Sequence, residues 1–150
     1  MTRTLSLAFL AFLAVFTQAA HAEPVAEAKQ LFERYASLEA RFDPGVAGLY
    51  ADDAIIRNKR FYPDGAVRET TIPALQYKQL IRDLMSVARS RNDYSTYSKA
   101  TFSPEGEGVR IKAMRFSVMK QYSSPISLLV TPDASGRWLI REELSESRPF

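Results

Sequence analysis

A chain of 150 residues with 20 Lys and Arg against 17 Asp and Glu is one domain's worth of sequence, carrying a net charge of +3. Acids and bases are interleaved, and no block of like charge points to nucleic acid as a partner. The sequence holds no Cys and a single His, which excludes disulfides and thiol chemistry and leaves imidazole catalysis and ordinary zinc or copper sites dependent on His21 alone.

The first element is a leader. Arg3 is followed by an apolar run from Leu5 to Phe16, broken only by Ser6, then by the polar pair Thr17-Gln18 and the small-x-small triplet Ala20-His21-Ala22. That order of positive, apolar and small residues is the secretory signature. The run is shorter than the roughly 20 residues that span a bilayer, and no Cys follows it to take a lipid. The expectation is therefore a signal peptide over residues 1–22, cleaved after Ala22, and a periplasmic or secreted single domain over 23–150 with no integral membrane segment after processing. Cleavage would take His21 away. The remaining acid–base chemistry would fall to Asp, Glu, Tyr, Lys and Arg, and no cofactor or metal is expected.

Val25 to Phe42 has the period of an amphipathic helix, with Ala28, Leu31, Phe32, Tyr35, Leu38 and Phe42 spaced by three and four. Asp43-Pro44-Gly45 stops it, and a short second helix is expected over 46–50. Ala54 to Tyr62 reads as a strand that turns at Pro63-Asp64-Gly65 into a return strand over 66–70. A long helix then starts near Pro73 and runs to about Arg91, with Leu75, Leu80, Ile81, Leu84, Met85 and Ala88 as its apolar stripe and a basic outer face. From Tyr94 the period becomes two. Four strands are expected over 94–102, 109–122, 125–131 and 136–144, antiparallel to their neighbours and separated by turns at 104–106, 123–125 and 132–136. Val109, Ile111 and Ala113 alternate on odd positions whereas Met114, Phe116 and Val118 fall on even ones, which predicts a β-bulge near Ala113-Met114.

This α+β order, with Leu49-Tyr50-Ala51-Asp52-Asp53-Ala54-Ile55-Ile56 running from the second helix into the first strand and Arg34-Tyr35 on the first helix, resembles the cystatin-like cone of the nuclear transport factor 2 (NTF2)-like superfamily. That superfamily includes SnoaL-like proteins and ketosteroid isomerases. The resemblance implies N-terminal helices packed on a strongly bent, mostly antiparallel sheet. It also implies a test of the isomerase reaction. A Tyr on the first helix, here Tyr35, would help bind an enolate oxygen. The Asp that would serve as base, five residues beyond the second Asp of the pair, is replaced by Asn58, and an amide cannot take a proton from carbon. The second oxyanion donor would be an acid in the region of 124–127, where this chain has none. The superfamily's dehydratases rely on His, absent from 23–150.

Within such a cone, Tyr35, Tyr50, Asn58, Tyr97, Arg115 and Glu142 are the candidate pocket residues. Arg115 interrupts an apolar strand, and Glu142 alternates in phase with Trp138, Ile140 and Leu144, so the two are expected to form a polar floor for an anionic or carbonyl-bearing ligand. Arg57, Lys59 and Arg60 make a small basic cluster that is either solvated or attracts an anion. The reading that follows is a non-catalytic, small-molecule binding module. A protein-interaction or homodimerisation module docking through the sheet face, and an isomerase- or dehydratase-like enzyme using Tyr, Asp or Glu, stand as alternatives.

Overall fold

The structure, a computed structural model, describes residues 7–149, with side chains from Ala22 onward. Arg3 and the start of the leader lie outside the described residues. Helix α1 spans Leu7–Ala40 and continues unbroken through Ala22, with Pro24 inside it. No helix among the described residues is long and apolar enough to cross a membrane. The helix ends where expected. Phe42 adopts a left-handed φ of 57°, Phe42 N donates to Glu39 O and Asp43 N to Leu38 O, and Asp43 Oδ1 accepts from Gly45 N at 2.8 Å. These bonds satisfy the last carbonyls and open a short 3-10 helix, Pro44–Leu49.

Six strands follow: β1 Tyr50–Phe61, β2 Val67–Pro73, then α2 Ala74–Arg91, β3 Ser95–Glu105, β4 Gly108–Ser117, β5 Tyr122–Pro132 and β6 Trp138–Ser147. They form one sheet in the order β2-β1-β6-β5-β4-β3. All pairs are antiparallel except β1 with β6, which is parallel because the chain crosses back over the sheet. The turn expected at Ser123–Pro125 is instead part of β5, and β4 ends five residues early, at Ser117. The reversal lies between, closed by Gln121 N donating to Ser117 O, with Gln121 left-handed at φ 56°.

The bulge expected in β4 sits in its partner. Ser98 pairs with Met114 and Thr101 with Lys112, so Lys99 and Ala100 of β3 together oppose Ala113. β4 itself pairs with β5 without a slip. Its odd residues Val109, Ile111, Ala113 and Arg115 therefore all face inward. The change of apolar phase in the sequence marks a change of chemistry along one face, not a change of face.

The core lies between α1 and the inner face of the sheet. Ala28, Leu31, Phe32, Tyr35 and Leu38 meet Val109, Ile111, Leu128, Val130 and Ile140. Each fully buried aliphatic side chain contributes roughly 1.5–3 kcal/mol. Helix α2 presents Ala74, Tyr77, Ile81 and Met85 to this core, whereas Leu75, Leu80 and Leu84 of the expected stripe are exposed. Gly108 allows a close approach to the neighbouring strand: a Cβ there would lie 2.2 Å from Val130 O and 2.5 Å from a Thr131 methyl carbon. Gly108→Ala is expected to lower the unfolding free energy by about 1–3 kcal/mol, the range for forced overpacking, and chemical denaturation of the two proteins measures it.

Candidate functional site

The candidate site is the polar patch on the inner face of the sheet, and its centre is Glu143. β6 carries an extra residue at Arg141: Leu129 pairs with Glu142, but Val130 pairs with Ile140. The slip turns Glu142 outward and Glu143 inward. Glu143 is 2 % exposed. Tyr50, at the start of β1, donates its hydroxyl to Glu143 Oε2, and Tyr77 of α2 donates to Oε1 at 3.3 Å. A second acid, Glu39 of α1, accepts from the Tyr97 hydroxyl, which also lies 3.5 Å from the Tyr35 hydroxyl. The four rings meet edge to face, with centroids 5.3 Å apart for Tyr50 and Tyr77, 6.5 Å for Tyr35 and Tyr50, and 5.7 Å for Tyr35 and Tyr97. Two carboxyls are thus joined through four tyrosines.

Burial sets the protonation of this cluster. It pushes the carboxyls of Glu143 and Glu39 upward, while the tyrosine hydrogen bonds and the positive charge of Arg115 pull them partly back. It also drives the hydroxyls of Tyr35, Tyr50, Tyr77 and Tyr97 well above their ordinary range, so they remain donors. Arg115 enters from β4. Its Nη2 donates to Glu146 O at 2.8 Å and to Ser124 Oγ at 3.4 Å. Burial alone would lower its pKa, but the electronegative surroundings of Tyr35, Tyr97, Glu143 and Glu39 raise it, and it stays a cation.

Asn58 also faces inward, donating to Ser145 Oγ at 3.0 Å and accepting from Ser147 Oγ at 2.7 Å. Its amide is committed to β6. Of the six expected pocket residues, Tyr35, Tyr50, Tyr97, Arg115 and Asn58 share the inner face. Glu142 does not. It lies on the outer face and pairs with Arg110 at 2.5 Å, so the expected Arg115–Glu142 floor does not form. Asp52 and Asp53 are exposed and separate, bound to Lys78 and Arg141 respectively.

Three solved structures share this fold. An NTF2-like protein with a cystatin-like fold from Novosphingobium aromaticivorans superposes with a TM-score of 0.58 at 16% identity over 88% of this chain and 86% of that one. An NTF2-like protein from Cytophaga hutchinsonii gives 0.55 at 9% identity over 79% and 93%.

This is the NTF2-like fold.

A Catenulispora acidiphila protein solved in complex with S-DNPA matches with a TM-score of 0.50 at 15% identity, over 81% of this chain and 90% of that one. No family model matches the sequence, and no curated protein does. Within the NTF2-like cone, sequence reasoning missed Glu143, Glu39 and Tyr77. Glu39 was within reach, since it stands four residues beyond Tyr35 and seven beyond Phe32, on the apolar stripe of α1. Tyr77 likewise shares the spacing of Ala74, Ile81 and Met85. Glu143 was hidden by the Arg141 bulge.

A pH dependence follows for Glu143. Its folded pKa is raised above the ordinary value of 4.5. Above about pH 4.5 the native state therefore holds a proton that the unfolded chain has lost, and stability falls as pH rises through the interval up to the folded pKa. Glu143→Gln keeps an acceptor for Tyr50 and cannot ionise. It is expected to flatten that fall, as measured by denaturation midpoints across pH 4 to 8.

Proposed function

We propose that this protein is an exported, non-catalytic binding module whose cone takes a small anionic ligand at Arg115. The observation that carries the reading is the state of that guanidinium. Its Nη2 donates to the Ser124 hydroxyl and the Glu146 carbonyl, and no ion pair joins it to an acid among the described residues. A half-buried guanidinium that has no acid partner among the described residues, beside two carboxyls pushed toward neutrality, suits a carboxylate or similar anion.

Catalysis is the weaker reading. Glu143 and Tyr50, at the centre of the cluster of displaced protonation, are each 2 % exposed, and their hydroxyl and carboxyl are already bonded to each other. The fold's capacity to hold small molecules is supported by the S-DNPA complex of the Catenulispora acidiphila protein. Export rests on the leader over residues 1–22, and amino-terminal sequencing of the protein recovered outside the cytoplasm should begin at Glu23. A start before His21 overturns the processing expected here.

Native mass spectrometry of the exported protein should show a small anionic molecule carried through purification. Arg115→Met should lose it, with affinity reduced at least tenfold, because a hydrogen bond to a charged group is worth about 1.5–3 kcal/mol and about 1.4 kcal/mol is a factor of ten. Equal retention by the variant overturns the reading.

A further inference from the structure

The outer face of the sheet carries a concavity of about 530 Å³, separate from the cone interior and lined in part by Lys112, Met114, Pro125 and Leu144. That volume lies within the range of small-molecule sites. Its floor follows from strand register. Arg57 pairs with Leu144, Leu144 with Ser127, and Ser127 with Lys112. One row across four strands thus has a cation at each end and an apolar side chain between them. At about 4.8 Å per strand, the cations stand roughly 14 Å apart at the backbone. Pro125 and Met114, paired in the adjoining row, widen the apolar floor.

The two ends differ in charge. At the β1 end, Lys59 is bridged to Glu69 at 3.8 Å, and Glu146 also lines the groove, so acids offset Arg57 and Lys59. At the other end the β3 bulge adds Lys99, left-handed at φ 54°, beside Lys112. Neither lysine makes an ion pair among the described residues. The nearby Glu105 is already engaged by Arg110 through both oxygens. The groove therefore has one cationic end with no ion pair among the described residues and an apolar body.

We infer that this groove binds a small amphipathic carboxylate, its head at Lys99 and Lys112 and its apolar chain lying over Met114, Pro125 and Leu144. The inference stands independently of the Arg115 reading. Decanoate below its micellar concentration is the probe, titrated calorimetrically into the processed protein at low salt. One molecule should bind per chain. The double variant Lys99→Glu/Lys112→Glu should weaken it at least tenfold, and Leu144→Gln, which leaves every charge in place, should weaken it severalfold. Arg115→Met should change it less than threefold, and decanol should bind more weakly than decanoate.

Unchanged affinity in the double variant, or decanol binding as tightly as decanoate, overturns the inference. So does loss of decanoate in Arg115→Met, which would put the ligand at the cone and leave the other reading standing. A wild-type dimer in sedimentation that dissociates in the double variant would assign the groove to a second copy of the chain. Sedimentation with phosphatidylglycerol vesicles without binding of free decanoate would assign it to a membrane surface. Either result overturns the inference.

Discussion

The interior of this protein is organised by the desolvation of one carboxyl group. The extra residue at Arg141 decides which of two adjacent acids, Glu142 or Glu143, is taken out of water. Once Glu143 is inside, its oxygens must find donors, because a buried polar group without one costs more than the bond it would make. Tyr50 and Tyr77 supply them from opposite sides, one from the first strand and one from the second helix. The position of α2 over the sheet is thereby tied to a polar contact as well as to apolar packing. Lys78, the next residue along α2, strengthens the tie by donating to the Tyr50 carbonyl at 3.0 Å.

Charge neutrality then separates two roles. Arg115 stands close enough to both acids to lower their pKa values but pairs with neither. Burial outweighs its pull, and the carboxyls are shifted toward their neutral forms. A neutral carboxyl accepts from tyrosine without demanding a counter-ion. The guanidinium, anchored by Ser124 and the Glu146 carbonyl, is left with charge to spare. Had Arg115 closed an ion pair with Glu143, the pair would have been a structural brace with little left for a ligand.

The order of elements, the α1 stop at Asp43-Pro44-Gly45 and the extent of α2 were legible in the sequence because each rests on local chemistry: helical period, turn residues and a proline at a helix start. What was not legible depends on register. The Ser123–Pro125 turn was misplaced because Pro125 punctuates equally well in a strand whose partner does not need its N–H. The bulge was sensed at the right level but assigned to β4, since the apolar residues shift from odd positions to Met114, Phe116 and Val118 although the strand does not slip against β5. Glu142 was placed inside by strict alternation with Ile140. Alternation cannot reveal an inserted residue, and one residue reverses every side chain beyond it.

Those two bulges act on opposite faces of the same sheet. The β6 slip buries Glu143 and leaves Glu142 outside, where it neutralises Arg110 together with Glu105. With Arg110 engaged on both sides, Lys112 is the outward cation of β4 that makes no ion pair among the described residues. The β3 slip then adds Lys99 to the same end of the groove. Along β4, three basic residues at alternate positions or nearly so meet three fates among the described residues: Arg110 in ion pairs, Lys112 without one outside, and Arg115 without one inside. Their spacing of two and then three residues is what divides them between faces. The β6 bulge, two strands away from β4, thus decides which face gains the Glu142 carboxylate and so which β4 cation is neutralised.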